Sequence, residues 1–291
     1  MSGGGPMISI IVVTYNAART IRACLESLFT HAPSTAEIIV VDTGSTDATL
    51  DILRSYTAQG VRLIRGGNPL CFGGAGNLGT GFASHDILYF HNADACLTGN
   101  IFNDMTACLR AHPRLAAIGP RMTRPDGQAL QTAHAFASPR KWLLQVLHLD
   151  RMFRISRVAR ICAAVPVAAN YAHRVGSLPA ARPLQDVDWL SRAGLMLRRQ
   201  AFEEAGGFDA GIVLKSEDED LCRRLRNAGH AVAFHHTDAA VMLDGSPDQG
   251  RRGVARLKRA ARQMFIDKHF TGHRRWLMHG LLYAKLWLRP D

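Results

Sequence analysis

The chain has 291 residues, 47% hydrophobic and 20% charged, a balance that excludes disordered, collagenous and coiled-coil proteins and fits a folded one. Its formal charge of +11, from 35 Lys and Arg against 24 Asp and Glu, by itself suits a polyanion such as nucleic acid, an anionic membrane or a phosphorylated substrate. Sorted along the chain, the surplus is local: residues 1–138 are neutral, 139–182 carry +7, 183–250 carry −5 and 251–291 carry +9, so a nucleic-acid partner is not expected.

The first third alternates strand and helix. Ile8–Val13 is an unbroken run rich in β-branched residues, the pattern of a parallel strand buried on both faces. Ala18–Phe29 follows as a helix with Ile21, Cys24, Leu25 and Leu28 on one face. Glu37–Val41 is a second buried strand ending at Asp42, Thr46–Tyr56 a second helix and Val61–Ile64 a third strand. A short helix at Ala75–Ala83 precedes a fourth strand, Ile87–Phe90, ending near Asp94, and Leu115–Ile118 is a fifth. Repeated strand–helix units predict an α/β fold, an open, mostly parallel sheet flanked by helices with right-handed crossovers.

After Pro120 the pattern changes. Residues 139–182 are Arg-rich and irregular; strand character resumes at Val187–Leu190 and Leu195–Leu197, and a helix starts at Arg199. Asp218–Asn227 reads as a helix behind the acidic run Glu217-Asp218-Glu219-Asp220, and acids in a first turn favour the helix dipole. Residues 251–288 read as two basic amphipathic helices parted near Thr271-Gly272. The expected division is a body at 1–250, with a basic insertion at 139–182, and a basic helical tail at 251–291.

The six Cys (24, 71, 96, 108, 162 and 222) form no Cys-x-x-Cys pair, so neither zinc spacing nor a disulfide framework is expected. The N-terminus lacks a basic stretch before its short apolar run, and no segment reaches the ~18 apolar residues of a spanning helix. The expected location is cytoplasmic, either in solution or on a membrane without crossing it. In the tail, Val254, Leu257, Ala261, Met264 and Phe265 share one face and Arg251, Arg252, Lys258, Arg259 and Arg262 the other, while Trp276, Leu277, Leu281, Leu282, Leu286, Trp287 and Leu288 make the last helix strongly apolar. Such helices suit an anionic bilayer interface and equally suit packing on their own domain behind a solvated Arg face.

In open α/β sheets, ligands bind at the carboxyl ends of the strands. Three polar clusters fall there, Thr14-Tyr15-Asn16, Asp42-Thr43-Gly44-Ser45 and Asn92-Ala93-Asp94, and should converge. A formal Gly-x-Gly-x-x-Gly, Gly74 to Gly79, is misplaced for a dinucleotide fingerprint, which belongs in the first strand–helix turn, and reads as a tight loop. A carboxylate ending a buried strand is costly unless it meets a ligand, donor or cation, or caps the next helix. For Asp42 cap and ligand are evenly matched; Asp94 suits a divalent cation held by one carboxylate plus substrate phosphates.

Taken in order, Ile11-Val12-Val13-Thr14-Tyr15-Asn16, Val40-Val41-Asp42-Thr43-Gly44-Ser45-Thr46-Asp47, Asn92-Ala93-Asp94-Ala95, Val187-Asp188-Trp189-Leu190-Ser191, Gly206-Gly207-Phe208-Asp209 and Glu217-Asp218-Glu219-Asp220-Leu221-Cys222 resemble a family 2 glycosyltransferase of the GT-A fold, in its rhamnosyltransferase-like bacterial branch. The resemblance implies an inverting transfer of a sugar, rhamnose before others, from a dTDP- or UDP-sugar to a lipid-linked or cell-surface glycan acceptor, at the inner face of the cell membrane. It implies that Thr14, Tyr15, Asn16, Asp42, Gly44, Ser45, Asn68, Asn77 and Asn92 hold the nucleotide. Asp94 would bind Mg²⁺ or Mn²⁺ on the diphosphate, Asp218 would be the catalytic base with Glu217 beside it, and Trp189 would border the acceptor.

The chemistry asks for these parts. A carboxylate takes the acceptor's proton, a cation stabilises the departing diphosphate, and crowding among acids should raise the proton affinity of the base. The sequence departs from the family's pattern at a metal-ligand His, for which Val241-Met242-Leu243-Asp244-Gly245-Ser246 offers Asp244 as an oxygen ligand. Arg192 stands where a small residue is usual after the Trp-Leu-Ser motif, and Cys71 where a loop glycine is common. The alternatives are a degenerate sugar-nucleotide-binding or scaffold protein and a sugar-phosphate nucleotidyltransferase, the second disfavoured by the Asp218 cluster.

Overall fold

The β-branched run near the N-terminus becomes a central strand, with Ile8, Ile10, Ile11 and Val12 wholly buried. The computed structural model describes residues 5–67, 71–147, 184–214, 216–243 and 251–288. Its elements run β1 (Ile8–Thr14), α1 (Ile21–His31), β2 (Glu37–Asp42), α2 (Thr49–Tyr56), β3 (Val61–Arg65), α3 (Phe72–Gly81), β4 (Ile87–Asn92), β5 (Ala95–Leu97), α4 (Phe102–Ala111) and β6 (Leu115–Thr123). After these come β7 (Ala129–Leu130), β8 (Ala133–His134), α5 (Pro139–Val146), β9 (Leu184–Asp186), β10 (Trp189–Leu190), β11 (Leu195–Arg198) and α6 (Arg199–Glu204). The last four are α7 (Glu217–Asn227), β12 (Ala231–Met242), α8 (Arg251–His269) and α9 (Gly272–Leu288).

The main sheet has the order β3-β2-β1-β4-β11-β6-β12-β5. β3, β2, β1 and β4 are parallel, β11 runs antiparallel between β4 and β6, and β12 lies parallel to β6. This is the expected α/β architecture, a large, mostly parallel sheet flanked by helices. The alternating faces of β1 feed two cores: Ile8, Ile10 and Val12 pack with α1 and α4 residues such as Leu25 and Phe102, while Ile11 packs with Ala75, Phe208 and Leu221 on the other side. Burying side chains of this kind is worth about 1.5–3 kcal/mol each.

Where the structure differs from the sequence reading, a local contact explains it. α2 begins at Thr49 rather than Thr46, because the Asp47 carboxylate accepts from the Thr49 N–H at 3.0 Å and starts the helix there. α3 begins at Phe72 rather than Ala75, with Cys71 as its N-cap. The expected strand Val187–Leu190 is interrupted: Asp188 turns aside to accept from the Phe136 N–H at 2.9 Å, and only Trp189–Leu190 pairs with β8. α4 and the long β12 are additions to the expected set.

The tail helices are built into the molecule. Phe265, Ile266, Phe270, Met278, Leu281 and Leu282 form a third core with Ala137 and Trp142 of the α5 region. The expected single apolar face of α8 is therefore split, with Ala261 and Phe265 inward and Leu257 and Met264 about half exposed. Of the two uses foreseen for these helices, packing on their own domain is observed, and Trp276 and Trp287 remain 80% and 83% exposed. Among the described residues no helix is long and apolar enough to cross a membrane. Most of the 139–182 insertion lies outside the described residues.

Candidate active site

The three polar clusters do meet at the carboxyl ends of the parallel strands. β1 pairs with both β2 and β4, with Thr14 opposite Asp42 and Val13 opposite Asn92. The first two loops are stitched together: Asn16, at φ 47°, donates its N–H to Ser45 Oγ at 2.9 Å and accepts from the Thr46 N–H at 2.8 Å. Thr43 donates to the Thr14 carbonyl through both its N–H and its hydroxyl. The buried Thr14 hydroxyl has no partner among the described residues. Tyr15 lies beside it, partly exposed.

Asp42 is only 2% exposed and organises its own loop. It accepts from the N–H groups of Gly44 and Ser45 at 3.1 and 3.0 Å and from the Ser45 hydroxyl, a turn that relies on Gly44 at φ 91°. Asp42 does not cap α2: the N-cap position is Ala48, and the carboxylate that bonds the first helical N–H is that of Asp47. Asn77 likewise holds protein: its amide nitrogen donates to the Phe208 carbonyl at 2.8 Å and its oxygen accepts from the Phe208 N–H at 2.9 Å. Asn77 thus clamps the Gly206-Gly207-Phe208 turn, and Phe208 in turn packs on Phe72, Phe90 and Phe202. Asn68 and Asp244 lie outside the described residues.

The formal Gly-x-Gly-x-x-Gly is a packing surface. A Cβ on Gly79 would lie 2.6 Å from Ile11 Cγ2, and one on Gly76 3.2 Å from the Phe208 ring. The glycines let α3 lie close on β1, which explains the motif without a dinucleotide.

The acidic run is buried, not solvated: Glu217 and Asp218 share Arg192, and Glu219 and Asp220 have partners of their own. Glu217 is 0% exposed, its Oε2 accepting from the Gly73 N–H at 3.3 Å and its Oε1 3.0 Å from Arg192 Nη1. Asp218, 7% exposed, accepts from the Arg192 N–H at 3.4 Å, with Arg192 Nη1 4.0 Å away. Glu219 accepts from the Ala137 N–H at 2.5 Å and pairs with Arg223 at 3.6 Å. Asp220 is gripped by Arg224 at 2.6 Å, His269 at 2.7 Å and Lys268 at 2.9 Å. The helix is entered through Leu214 and Ser216, both at positive φ, a backbone state costly for residues with a side chain.

These partners set the protonation of the cluster. Burial raises the Glu217 carboxyl to about 7, Arg192 opposing the rise and Asp218 adding to it. Burial also acts to raise Asp220, but His269, Lys268 and Arg224 outweigh it and hold the carboxyl at about 2. Burial likewise raises the Glu219 carboxyl, against Lys141, the Ala137 N–H and Arg223, so the rise within the cluster comes first from burial and not from the crowding of acids.

Asp94 follows β4 in a loop closed by the Leu243 N–H, which donates to the Asp94 carbonyl at 2.7 Å. No helix follows until Phe102, so Asp94 is not a cap. Burial raises its carboxyl, with its own N–H, Arg192 and Asn92 pulling the other way. A desolvated carboxylate with incomplete compensation fits a Mg²⁺ or Mn²⁺ completed by phosphate oxygens and water. Among the described residues no group of three or more His, Cys, Asp or Glu gathers for a metal; Asp244, the other expected ligand, lies outside them.

Trp189 borders the same region from β10. Its indole N–H donates to the Ala135 carbonyl at 3.0 Å, and its ring stacks on His134 at 4.0 Å. His134 is absent from the sequence reading, because the pairing of β8 with β10 that brings it to Trp189 is non-local. Arg192, read from the sequence only as a departure, lies amid Asp94, Glu217 and Asp218.

The Glycosyl transferase family 2 pattern matches residues 9–167. The N-acetylglucosaminyl-diphospho-decaprenol L-rhamnosyltransferase of Mycobacterium tuberculosis (strain ATCC 25618 / H37Rv) is 27% identical over 294 residues, spanning 95% of this chain and 90% of that protein. Among solved structures, the mannosyltransferase PcManGT from Pyrobaculum calidifontis in complex with GDP-Man and Mn²⁺ is similar with a TM-score of 0.56 and 17% identity, over 98% of this chain and 70% of that one. S. aureus TarS 1-349 in complex with UDP-GlcNAc gives a TM-score of 0.57 at 15% identity, over 96% and 72% of the two chains. The chain belongs to glycosyl transferase family 2, with a rhamnosyltransferase-like sequence on a GT-A fold.

Proposed function

We propose that the protein is an inverting glycosyltransferase that moves a sugar, with rhamnose the favoured one, from a dTDP- or UDP-sugar to a lipid-linked or cell-surface glycan acceptor. The observation that carries this reading is the meeting of Asp94 and Asp218 around Arg192 at the carboxyl end of the sheet. The mycobacterial relative, named for a lipid-diphosphate acceptor and L-rhamnose, supports the choice of substrates.

In this reading Asp218 takes the proton of the acceptor hydroxyl as that oxygen attacks the anomeric carbon, the work of a positioned carboxylate. The Arg192 main-chain N–H orients it. Trp189 offers an aromatic wall to the acceptor sugar. The loops of Thr14–Asn16 and Asp42–Ser45, with Asn92, form the nucleotide side; Asp42 acts there by shaping the loop. Asp94 would hold Mg²⁺ or Mn²⁺, which when bound neutralises charge on the diphosphate. At the membrane, the exposed Trp276 and Trp287 beside the basic residues of α8 and α9 suit peripheral contact with an anionic inner face.

Incubation with dTDP- and UDP-sugars and Mn²⁺, with release of nucleoside diphosphate as readout, tests the reading. Turnover of a donor is expected. Binding without turnover, across acceptors and metals, would favour a sugar-nucleotide-binding scaffold. Asp94→Ala is expected to abolish the gain in diphosphate affinity that Mn²⁺ confers, measured by calorimetry; an unchanged gain removes Asp94 from that role.

A further inference from the structure

Arg192 is held as a fixed cation. Its guanidinium lies 4.6 Å over the Phe72 ring, and Nη1 is anchored 3.0 Å from Glu217 Oε1. A planar guanidinium fixed by stacking and an ion pair is pre-organised for an anion. Part of its donor capacity is unused: Nε is buried without an acceptor, and Nη2 has no partner among the described residues. A buried, unpaired donor on a charged group is unfavourable until an acceptor arrives. The side chain is 25% exposed, so a ligand can reach it.

Its position is as specific as its geometry. Asp218 accepts from the Arg192 main-chain N–H, Nη1 lies 4.0 Å from the same carboxylate, and the guanidinium charge also acts on Asp94, so the side chain borders the space between Asp218 and Asp94. On the proposed function, that space receives the bond being broken. Glu217 takes up a proton near neutrality, so its charge does not fully cancel that of the guanidinium.

We propose that Arg192 is an anion-binding residue of the active site that contacts the diphosphate of the donor and stabilises the charge growing there during transfer. This rests on the nucleotide-sugar reading of the site. The acceptor oxygen forms a bond to the anomeric carbon, its proton passes to Asp218, and the bond from that carbon to the diphosphate oxygen breaks with its electron pair left on the diphosphate. Arg192 donates N–H bonds to that anion, a charge-assisted contact.

The test measures binding of dTDP and UDP, and of thymidine and uridine, to the wild-type chain, Arg192→Gln, Arg192→Lys and Glu217→Gln, in EDTA and in Mn²⁺. Arg192→Gln is expected to weaken diphosphate binding at least tenfold in EDTA while nucleoside binding stays within twofold, and Arg192→Lys to retain part of the diphosphate affinity. Glu217→Gln, which frees Nη1, is expected to bind diphosphate at least as tightly as wild type. Three results would overturn the proposal: diphosphate affinity unchanged in Arg192→Gln; equal loss of nucleoside and diphosphate in both Arg192 variants; or a loss in Glu217→Gln matching that in Arg192→Gln, since Arg192 would then act only by clamping Glu217. If the wild type binds no nucleoside diphosphate with or without Mn²⁺, the nucleotide-sugar reading falls and takes this proposal with it.

Discussion

Glu217 titrates near neutrality because of what surrounds it. Burial pushes its carboxyl to about 7, above the ordinary carboxylate range, and Arg192 stops it from rising further. The folded chain therefore binds this proton more tightly than the unfolded one. The stability Glu217 contributes is complete below its ordinary value near 4.5 and is lost as pH rises through about 7. Glu217→Gln removes that dependence, so relative to wild type the variant is expected to gain melting temperature between pH 5 and pH 8. A gap that stays flat across this range would contradict the assignment. At the residue scale Asp94 stands out by its place at a strand end, whereas Glu217 and Asp218 take their proposed roles from the family resemblance, the acidic run alone fitting a helix start. The sequence was blind to Asn77 serving Phe208 and to His134 stacking on Trp189, since both depend on contacts between distant segments.

The elements show the same division between local and non-local information. β1, β2, β3 and β4 were legible as apolar runs, and the break between α8 and α9 as Thr271-Gly272. α4 places Phe102, Met105 and Leu109 inward at helical spacing, a periodic signal overlooked beside the adjacent Asn92-Ala93-Asp94 cluster. β12 was hidden by His235, His236 and Asp238, polar residues within a strand whose register shifts between His235 and Asp238. α3 is the element whose fit is least forgiving. A Cβ on Gly79 would meet Ile11 Cγ2 at 2.6 Å, so Gly79→Ala is expected to cost about 1–3 kcal/mol by overpacking. Urea unfolding measures it, and an unchanged midpoint would mean that α3 can slide on β1 without penalty.

Over the whole molecule, charge and packing divide the labour. Four consecutive carboxylates are buried at the start of α7, and α8, which carries part of the basic surplus, contacts one of them. α8 joins α7 through Lys268 and His269 on Asp220, and through Phe265 and Phe270 around Arg223, each ring about 5.4 Å from its guanidinium. The tail is thus a brace for α7 as well as a carrier of exposed tryptophans, a double role that sequence patterning left as two alternatives. Replacing Trp276 and Trp287 by Ala, which removes exposed surface and no core contact, is expected to lower association with anionic liposomes in a salt-sensitive manner without altering donor binding. Equal association of the double variant would remove these side chains from the membrane role.

The central claim, that Asp218 is the base of a glycosyl transfer, is tested most directly by comparing Asp218→Asn with wild type in donor binding and transfer. Loss of the base is expected to lower the transfer rate by about 10²- to 10⁴-fold while donor affinity stays within a few-fold. Transfer at the wild-type rate, or a loss of donor affinity as large as the loss of rate, would contradict it.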